Sequence, residues 1–377
     1  MLFKNAYIFT EAGTFRHGSF RVEDGRFAEI LSCVPEEAGV DLEGQYVIPG
    51  LVDLHIHGAA GADLSDGDDA GLAKMAGYLA RNGVTSFAPA SMTLPYEALE
   101  RAFSVARRFA EHRPDGCARL MGIHMEGPFL SAKKKGAQNG AYLKEPDFPA
   151  FWKLYDGCGG LLRIVDIAPE LPGAEAFIRQ AAKLCVVSVA HTDADYGEAE
   201  AAFAAGATHL THLYNVMPPI HHRSPGVIGA ASERENVVAE LICDGEHVHP
   251  SAVRMAFRLF PGRICLVSDA LRCCGMPDGR YELGGQEIFL QNGAVRLSDG
   301  TLAGSAANLY DCMRRAVAFG IPREQAILSA TRIPAEQLGR DGEIGSIAPG
   351  KLADFVVCAA DLTRKAVCMG GSVLCEP

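Results

Sequence analysis

The stretch Tyr46-Val-Ile-Pro-Gly-Leu-Val-Asp-Leu-His-Ile-His-Gly58 is the most informative part of this chain of 377 residues. Its residues are largely apolar, which is typical of a buried strand, and alternate residues of a strand face the same side. We therefore expect His55 and His57 to lie together at the end of this strand. A His-x-His pair alone is equally compatible with two hydrogen-bonded structural histidines, so its meaning depends on the rest of the chain.

Seven further apolar, β-branched runs follow, with helical patterns between them. The eight predicted strands are 46–58, 83–90, 119–130, 161–170, 184–192, 208–215, 237–248 and 264–270. Candidate helices include 69–82, 96–112, 173–183, 195–206 and 250–260. This alternation predicts an α/β fold with a parallel sheet, and eight such units indicate a (β/α)8 TIM-like barrel.

The two ends of the chain differ from this central part, because both consist of short alternating strands with turns. Neither end is long enough to form a stable core alone. We therefore expect residues 1–48 and 344–377 to build one small β-sandwich domain beside a barrel of residues 49–343. A β-hairpin insertion is expected near 280–303, where Leu-Gly-Gly and Asn-Gly sequences indicate turns.

Composition excludes several classes of partner. A formal net charge of −11 argues against nucleic acid, since phosphate backbones require a basic surface. No apolar run approaches the roughly 18 residues that a membrane span needs, and the N-terminus lacks a signal-peptide pattern. Twelve cysteines without a Cys-x-x-Cys motif are typical of reduced core residues, so we expect a cytoplasmic protein.

An acidic chain must bind an anionic ligand through local cations. Two loops could do so, Lys133-Lys134-Lys135 and His221-His222-Arg223. For the lysine run, a solvated loop charge is the simpler interpretation.

Polar side chains stand at the ends of most predicted strands, where barrel enzymes place their catalytic groups. The set is His55 and His57 on the first strand, Glu126 on the third, His191 on the fifth, His212 and Asn215 on the sixth, His247 on the seventh and Asp269 on the eighth.

Glu126, His191 and His212 together match the ligands of a catalytic zinc or similar divalent ion, which takes imidazole and carboxylate and keeps one position open for water. Asp269 would then face that water as general acid and base. Each residue also has a structural interpretation. Glu126 could pair with a lysine, His191 could cap the following helix, and Asp269 could be a helix N-cap.

Motifs spread over nearly the whole chain resemble the N-acetylglucosamine-6-phosphate deacetylase family of the amidohydrolase superfamily. They are His55-Ile-His57, His124-Met-Glu126-Gly-Pro-Phe, Lys134-Lys-Gly-Ala137, Thr211-His-Leu-Tyr-Asn215, Arg223-Ser-Pro-Gly, Asp244-Gly-Glu-His247-Val, Ser268-Asp-Ala and Leu302-Ala-Gly-Ser305. The Glu-Gly-Pro, His-Leu-x-Asn and Leu-Ala-Gly-Ser elements are similar to this family in particular.

The resemblance implies hydrolysis of N-acetyl-D-glucosamine 6-phosphate to D-glucosamine 6-phosphate and acetate, in amino-sugar catabolism and cell-wall recycling. It implies that Glu126, His191 and His212 hold the metal and that Asp269 moves the proton. By the same resemblance, the sugar site would be lined by Ala137, Asn215, Val216, His247, Leu302, Ala303 and Gly304. Arg223 would bind the phosphate from a neighbouring subunit of a homodimer, for which its planar guanidinium is suited.

Two positions depart from some family members. Gln138 stands where some members have a histidine that polarises the amide carbonyl, and an amide N–H can donate the same hydrogen bond without charge. Some members also lack the first-strand pair and bind one metal. Because His55 and His57 are present here, we expect one or two ions of zinc or iron, with Glu126 as the bridge.

Three alternatives remain at this stage. A cyclic-amide hydrolase commonly uses a carboxylated lysine from the fourth strand, but this strand ends Ile167-Ala-Pro-Glu170 without one. A non-catalytic phosphosugar-binding protein would not need Asp269. N-acetylgalactosamine 6-phosphate, the C4 epimer, differs by one hydroxyl orientation and is not separated from the gluco sugar by sequence.

Overall fold

Strands and helices alternate along most of the chain in the computed structural model, which describes residues 1–375. In chain order, the strands are β1 Leu2–Phe9, β2 Phe15–Glu23, β3 Arg26–Leu31, β4 Val40–Asp41, β5 Tyr46–Pro49, β6 Leu51–Ile56, β7 Gly58–Ala59, β8 Ala62–Asp63, β9 Val84–Pro89, β10 Arg119–Leu120, β11 Ile123–Met125, β12 Leu162–Ile167, β13 Val186–Val189, β14 His209–Leu210, β15 Val238–Ile242, β16 Ile264–Val267, β17 Gly279–Leu283, β18 Gln286–Gln291, β19 Ala294–Leu297, β20 Phe355–Cys358, β21 Arg364–Met369 and β22 Ser372–Cys375.

The α-helices are α1 Asp69–Arg81, α2 Tyr96–Glu111, α3 Phe148–Gly157, α4 Ala174–Ala181, α5 Tyr196–Ala205, α6 Gly226–Ser232, α7 Pro250–Leu259, α8 Leu309–Ala318, α9 Arg323–Ala330 and α10 Arg332–Gln337. Five of them confirm the predicted helices, with ends that differ by one or two residues. Acidic N-caps explain two of the starts, since Asp68 accepts from Ala70 N–H and Asp195 forms a capping box with Glu198. None of the helices within residues 1–375 has the length and apolarity needed to cross a membrane.

The central strands form a curled parallel sheet. β10, β9 and β6 pair in that order, β11 to β16 pair in sequence order, and a bridge from Ala90 to His124 joins the two groups. At the far side, the Asp269 N–H donates to His55 O at 3.0 Å, so the end of β16 lies beside the end of β6. The carboxyl ends of the parallel strands therefore converge on one region. Every predicted strand overlaps one or two of these strands.

Residues from both ends of the chain form a second, mixed sheet. Its order is β22-β21-β20-β5-β1-β2-β3, and β4 pairs in parallel with β1 at Phe3 and Lys4. β5 is antiparallel to β20, with Val47 opposite Val357. Beneath this sheet, Phe3, Phe20 and Phe355 are buried with ring centroids 5.0 to 5.2 Å apart.

The predicted single strand 46–58 is divided at Gly50, which corrects that boundary. Residues before Gly50 pair in the terminal sheet as β5, whereas residues after it pair with β9 in the parallel sheet as β6. A Cβ atom at Gly50 would lie 2.0 Å from Thr85 Oγ1, so the close approach to β9 requires glycine here. The terminal sheet is thereby connected directly to the strand that carries His55 and His57.

The segment after β16 carries a three-stranded antiparallel ribbon of β17, β18 and β19. Its turns are Gly284-Gly285 and Asn292-Gly293, all with positive φ as two-residue hairpin turns require. The chain then returns through residues 301–304 to the ends of the parallel strands.

The aromatic cluster under the terminal sheet predicts a large effect for Phe355→Ala. We expect a loss of about 3 to 5 kcal/mol in the free energy of unfolding, because the substitution leaves a cavity among packed rings. Chemical denaturation of Phe355→Ala and of a control, Phe289→Ala on the exposed face of β18, measures it. Equal, small losses in the two variants would contradict the assigned packing.

Candidate active site

A cavity of about 290 Å³ lies where the parallel strands end. Of the fifteen residues that the sequence predicts for the site, thirteen line this cavity: His57, Glu126, Ala137, Gln138, His191, His212, Asn215, Val216, His247, Asp269, Leu302, Ala303 and Gly304. His55 lies beneath the cavity and is fully buried. Arg223 is exposed and lies outside the cavity lining.

Glu126 stands between two groups of imidazoles, one at each carboxylate oxygen. Its Oε1 lies 2.9 Å from His191 Nε2 and 3.2 Å from His212 Nε2, and these two nitrogens are 3.2 Å apart. Its Oε2 lies 3.0 Å from His57 Nε2 and 3.8 Å from His55 Nε2. Both sets of three can hold a metal ion by their spacing. Neighbouring ligands of a tetrahedral zinc with bonds of about 2.0 to 2.1 Å are themselves about 3.3 Å apart.

Asp269 belongs to the second of these groups. Its Oδ1 lies 3.4 Å from His57 Nε2 and 3.6 Å from His55 Nε2, and the residue is 8% exposed. The segment after it is not helical, which excludes the N-cap interpretation. The carboxylate therefore adjoins both the ligand cluster and the cavity.

The structural interpretations of His191 and Glu126 are wrong as well. The helix after His191 is capped by Asp195 instead. The ion-pair partners of Glu126 among the described residues are histidines and not lysines.

The hydrogen bonds of His191 favour a cation in this cluster. His191 Nδ1 lies 2.9 Å from Lys134 O, and a carbonyl oxygen can only accept a hydrogen bond, so Nδ1 is the donor and carries the hydrogen. In a neutral ring, Nε2 then has a lone pair, which points towards Glu126 Oε1 at 2.9 Å. Two facing lone pairs repel each other unless a proton or a metal ion lies between them.

The electrostatics of the cluster agree with this geometry. Burial lowers the pKa of His57, but the carboxylates of Asp269 and Glu126 outweigh it and raise that pKa to about 10. Burial likewise opposes the charge of Glu126, yet the surrounding histidines hold its pKa well below the usual value. The carboxylates thus favour positive charge at this point, which a divalent ion supplies in place of protons.

Several site residues have an uncommon backbone conformation. His191, His212 and Asp269 have φ of 43°, 29° and 47°, in the left-handed region, and Val216 has φ of 49°. Such conformations cost about 1 to 3 kcal/mol each and persist where the surroundings impose them. His191, His212 and Asp269 each lie two residues after the end of a strand, and Val216 lies in the loop after β14. The chain turns sharply at these positions and directs the side chains into the cavity.

Gln138 is held in one orientation. Its Oε1 accepts a hydrogen bond from Thr93 N–H at 2.8 Å, and its Nε2 donates to Glu126 Oε2 at 2.7 Å. The side-chain amino group therefore faces the ligand cluster rather than the bulk solvent.

His247 is also oriented by a neighbour. Asp244 Oδ2 contacts His247 Nδ1 at 2.7 Å, and Asp244 Oδ1 accepts from the N–H groups of Glu246 and His247. Burial lowers the pKa of His247, but the contact with Asp244 outweighs it and the net shift is upward. The contact with Asp244 thus fixes the orientation of a ring that lines the cavity.

Arg223 lies in an exposed loop beside two histidines. A guanidinium nitrogen is 2.7 Å from His222 Nε2, and His221 pairs with Ser224 across the turn. In its own chain, this arginine does not line the cavity.

Sequence reasoning missed several residues of this region. The cavity is also lined by Met92, Gly136, Leu271, Leu283 and Thr301. Behind it, fully buried Glu240 contacts His55 Nδ1 at 2.8 Å. The available signal was a lone carboxylate within the apolar run 237–243.

Known proteins are similar to this chain over most of its length. The Amidohydrolase family matches residues 46–373. N-acetylglucosamine-6-phosphate deacetylase of Bacillus subtilis (strain 168) is 37% identical over 371 residues, which cover 96% of this chain and 93% of that protein. N-acetylgalactosamine-6-phosphate deacetylase of Escherichia coli O157:H7 is 35% identical over 369 residues and 97% of each chain.

A solved structure is similar over its whole length. N-acetyl-D-glucosamine-6-phosphate deacetylase from Mycobacterium smegmatis, an aspartate-to-alanine mutant in complex with N-acetyl-D-glucosamine-6-phosphate, superposes with a TM-score of 0.92. Its sequence is 34% identical, and the match covers 99% of both chains. With the family match over most of its length and these full-length relatives, the chain belongs to the amidohydrolase family.

Proposed function

We propose that this chain hydrolyses the N-acetyl group of N-acetyl-D-glucosamine 6-phosphate to D-glucosamine 6-phosphate and acetate, as a metal-dependent hydrolase of a linear amide bond. The observation that carries the proposal is the position of Glu126, with two imidazoles at each carboxylate oxygen and Asp269 beside one pair. Full-length relatives with this activity in their names support the substrate.

The donor set fits one or two divalent ions. Glu126, His191 and His212 would hold one ion, and His55, His57 and Glu126 the other. Within residues 1–375, His55 Nε2 is buried without a hydrogen-bond partner, which a bound cation would remedy. When bound, such an ion supplies Lewis acidity that makes water nucleophilic near neutral pH. Zinc and iron both suit imidazole and carboxylate ligands.

Asp269 is the proton carrier in this proposal. Its Oδ1 accepts the proton of the attacking water, and the same oxygen later gives that proton to the sugar nitrogen as the C–N bond breaks. The pKa of Asp269 is lowered: burial opposes its charge, but His57 and His55 outweigh burial. It is therefore ionised before the reaction and able to act first as a base.

Other cavity residues would orient the sugar. Gln138 would donate to the acetyl carbonyl, since its amide is fixed with the amino group towards the cluster. His247, held by Asp244, would form a hydrogen bond with a sugar hydroxyl, together with Asn215. The backbone and side chains of Ala137, Val216, Leu302, Ala303 and Gly304 would form the walls.

Phosphate recognition would require a second copy of the chain. Arg223 is exposed and does not line its own cavity, whereas a homodimer would allow the partner subunit's Arg223 to reach the phosphate. An acidic chain needs such a local cation to hold a dianion.

The architecture proposed from sequence accompanies this function. We interpret the curled parallel sheet and its helices as a (β/α)8 barrel of residues 49–343 with the ribbon as an insertion. The terminal sheet would be the small β-sandwich domain of residues 1–48 and 344–377. The convergence of strand ends on one cavity supports the barrel.

The alternative functions receive less support. A cyclic-amide hydrolase would need a lysine after β12, but Glu170 stands there and bonds to Thr192 Oγ1 and Asp193 N–H. A phosphosugar-binding protein would not require Asp269 within 3.4 Å of His57. The galacto epimer remains a second candidate, because one relative of comparable identity carries that name.

Acetate release from both epimers, each with and without its phosphate, tests the substrate. We expect the gluco phosphate to have the highest kcat/KM. A higher value for the galacto phosphate would reassign the substrate, and no acetate from any of the four would reject the proposed function.

Metal dependence is the first functional prediction. Chelation should abolish activity, and His212→Ala should lose metal, because it removes one of few ligands. Elemental analysis of the purified variant measures this, with His17→Ala on the exposed terminal sheet as the control. Full occupancy in His212→Ala would overturn the ligand assignment.

Asp269→Asn should retain metal and fold but lose about two to four orders of magnitude in kcat, since an amide cannot carry the proton. The measurement is steady-state kinetics at matched metal content. Asp69→Asn, on the surface of α1, is the matched control. Turnover within threefold of the wild type would remove Asp269 from the mechanism.

Arg223→Ala should lower kcat/KM for the phosphorylated substrate selectively. Loss of a charge-assisted contact costs about 1.5 to 3 kcal/mol, or about ten- to a hundredfold in kcat/KM. The slow reaction of the unphosphorylated sugar should hardly change, and Arg16→Ala is the control. Equal losses on both sugars would refute the phosphate role.

Mixed dimers test whether the site is shared. Arg223→Ala and Asp269→Asn proteins are each defective in a different half of a shared site. Their mixed dimer should regain one intact site and part of the wild-type activity. No regain in dimers of verified composition would place Arg223 in its own chain's site or in none.

A further inference from the structure

Glu240 is an acidic residue in an otherwise apolar strand. It lies in β15 within the run Val-Val-Ala-Glu-Leu-Ile-Cys (237–243), and its side chain is 0% exposed. A buried carboxylate costs several kcal/mol unless hydrogen bonds compensate for the lost water. Its partners therefore account for its presence here.

Three groups donate to this carboxylate. Oε2 lies 2.8 Å from His55 Nδ1 and 3.1 Å from the backbone nitrogen of His212. Oε1 lies 3.1 Å from His209 Nε2. The opposite nitrogen of His209 contacts Gln337 Oε1 in α10 at 3.0 Å. Glu240 is thus held by His209 on the side of α10 and contacts His55 and His212 on the side of the ligand cluster.

The first contact sets which nitrogen of His55 faces the cluster. When the neutral ring donates Nδ1–H to the carboxylate, Nε2 carries the lone pair. That nitrogen lies 3.8 Å from Glu126 Oε2 and 3.6 Å from Asp269 Oδ1. The same pattern, in which a carboxylate orients a histidine that binds metal through its other nitrogen, recurs in metalloproteins.

The second contact acts on the backbone of His212. This residue has φ of 29°, a conformation that its surroundings must impose. The hydrogen bond from its N–H to Glu240 Oε2 helps to hold the turn that places Nε2 at 3.2 Å from Glu126 Oε1. One carboxylate therefore contacts a residue from each of the two ligand groups.

We propose that Glu240 is a positioning residue that orients His55 for one ion and holds the backbone of His212 for the other. The inference rests on the proposed function, because it assumes that these two groups bind metal. In this proposal Glu240 binds neither ion nor substrate, since it does not line the cavity.

A third possible metal group, His55, His124 and Glu240, does not change this role. His124 is already used, since Nδ1 contacts Leu54 O at 3.2 Å and Nε2 contacts Asp166 Oδ1 at 2.9 Å. Both ring nitrogens of His124 therefore already have hydrogen-bond partners outside this group.

The test compares Glu240→Gln with Asp166→Asn. Both replace a fully buried carboxylate in the same interior by its amide, but the side-chain hydrogen bonds of Asp166 within residues 1–375 go to His124 and Thr211. Zinc titration of metal-free protein gives the number and affinity of ions. We expect Glu240→Gln to bind the ion that His55→Ala loses about ten- to a hundredfold more weakly. Asp166→Asn should bind it normally. Equal losses in both variants, or normal affinity in Glu240→Gln, would overturn the inference.

A second readout does not depend on metal or activity. Nitrogen-15 NMR of histidine-labelled, metal-free wild-type protein, recorded at a pH where the ring of His55 is neutral, reports the tautomer of His55, assigned with the His55→Gln variant. We expect Nδ1–H in the wild type and a changed tautomer or a mixture in Glu240→Gln. Nε2–H in the wild type, or an unchanged Nδ1–H in the variant, would overturn the inference even if the variant binds metal poorly.

The two readouts separate this inference from the proposed function. If wild type and His55→Ala bind equal numbers of ions, the second ion of the proposed function fails, and with it the metal-positioning role of Glu240 at His55. If they differ while Glu240→Gln matches the wild type in both readouts, only the inference about Glu240 fails.

Discussion

The site depends on the contacts between the carboxylate of Glu126 and the four histidines around it. Its two oxygens face separate pairs of imidazoles, so one side chain sets the separation of two possible ion sites. The arrangement is stable only with positive charge between the groups, because histidines whose outer nitrogens donate elsewhere direct lone pairs inward. A single side chain after β11 therefore connects the two groups of possible metal ligands.

The curled sheet makes this convergence possible. Five separate strand ends must bring side chains within about 4 Å of each other, a typical range for metal ligands and their neighbours. Left-handed backbone at His191, His212 and Asp269 directs their side chains towards one another. The packing of the strands beneath compensates for the conformational free energy of this backbone. The terminal sheet contributes indirectly, since β5 continues through Gly50 into the strand of His55 and His57.

Below the cluster, the interior is polar where most protein cores are not. Glu240, Asp166, His124 and His209 are fully buried and bonded to one another or to backbone and neighbouring side chains. Such a network is favourable only when its members are satisfied, and it then favours one arrangement of the groups above it. Within this network, Glu240 contacts His55 and His212 directly, which explains how these two residues from distant strands keep their orientations.

The sequence by itself determined the types and order of most elements, the turns of the ribbon and the identity of most cavity residues. The elements and turns depend on local periodicity and on Asn-Gly and Gly-Gly chemistry. The polar cavity residues stand at the ends of apolar runs, whereas the apolar ones were implied by the family resemblance. Only the tertiary structure decided the division at Gly50, the fixed amide of Gln138, the outward position of Arg223 and the role proposed for Glu240. The physical reason is distance along the chain: Glu240 and His55 are 185 residues apart, and no local pattern encodes which side chains become neighbours when the sheet curls.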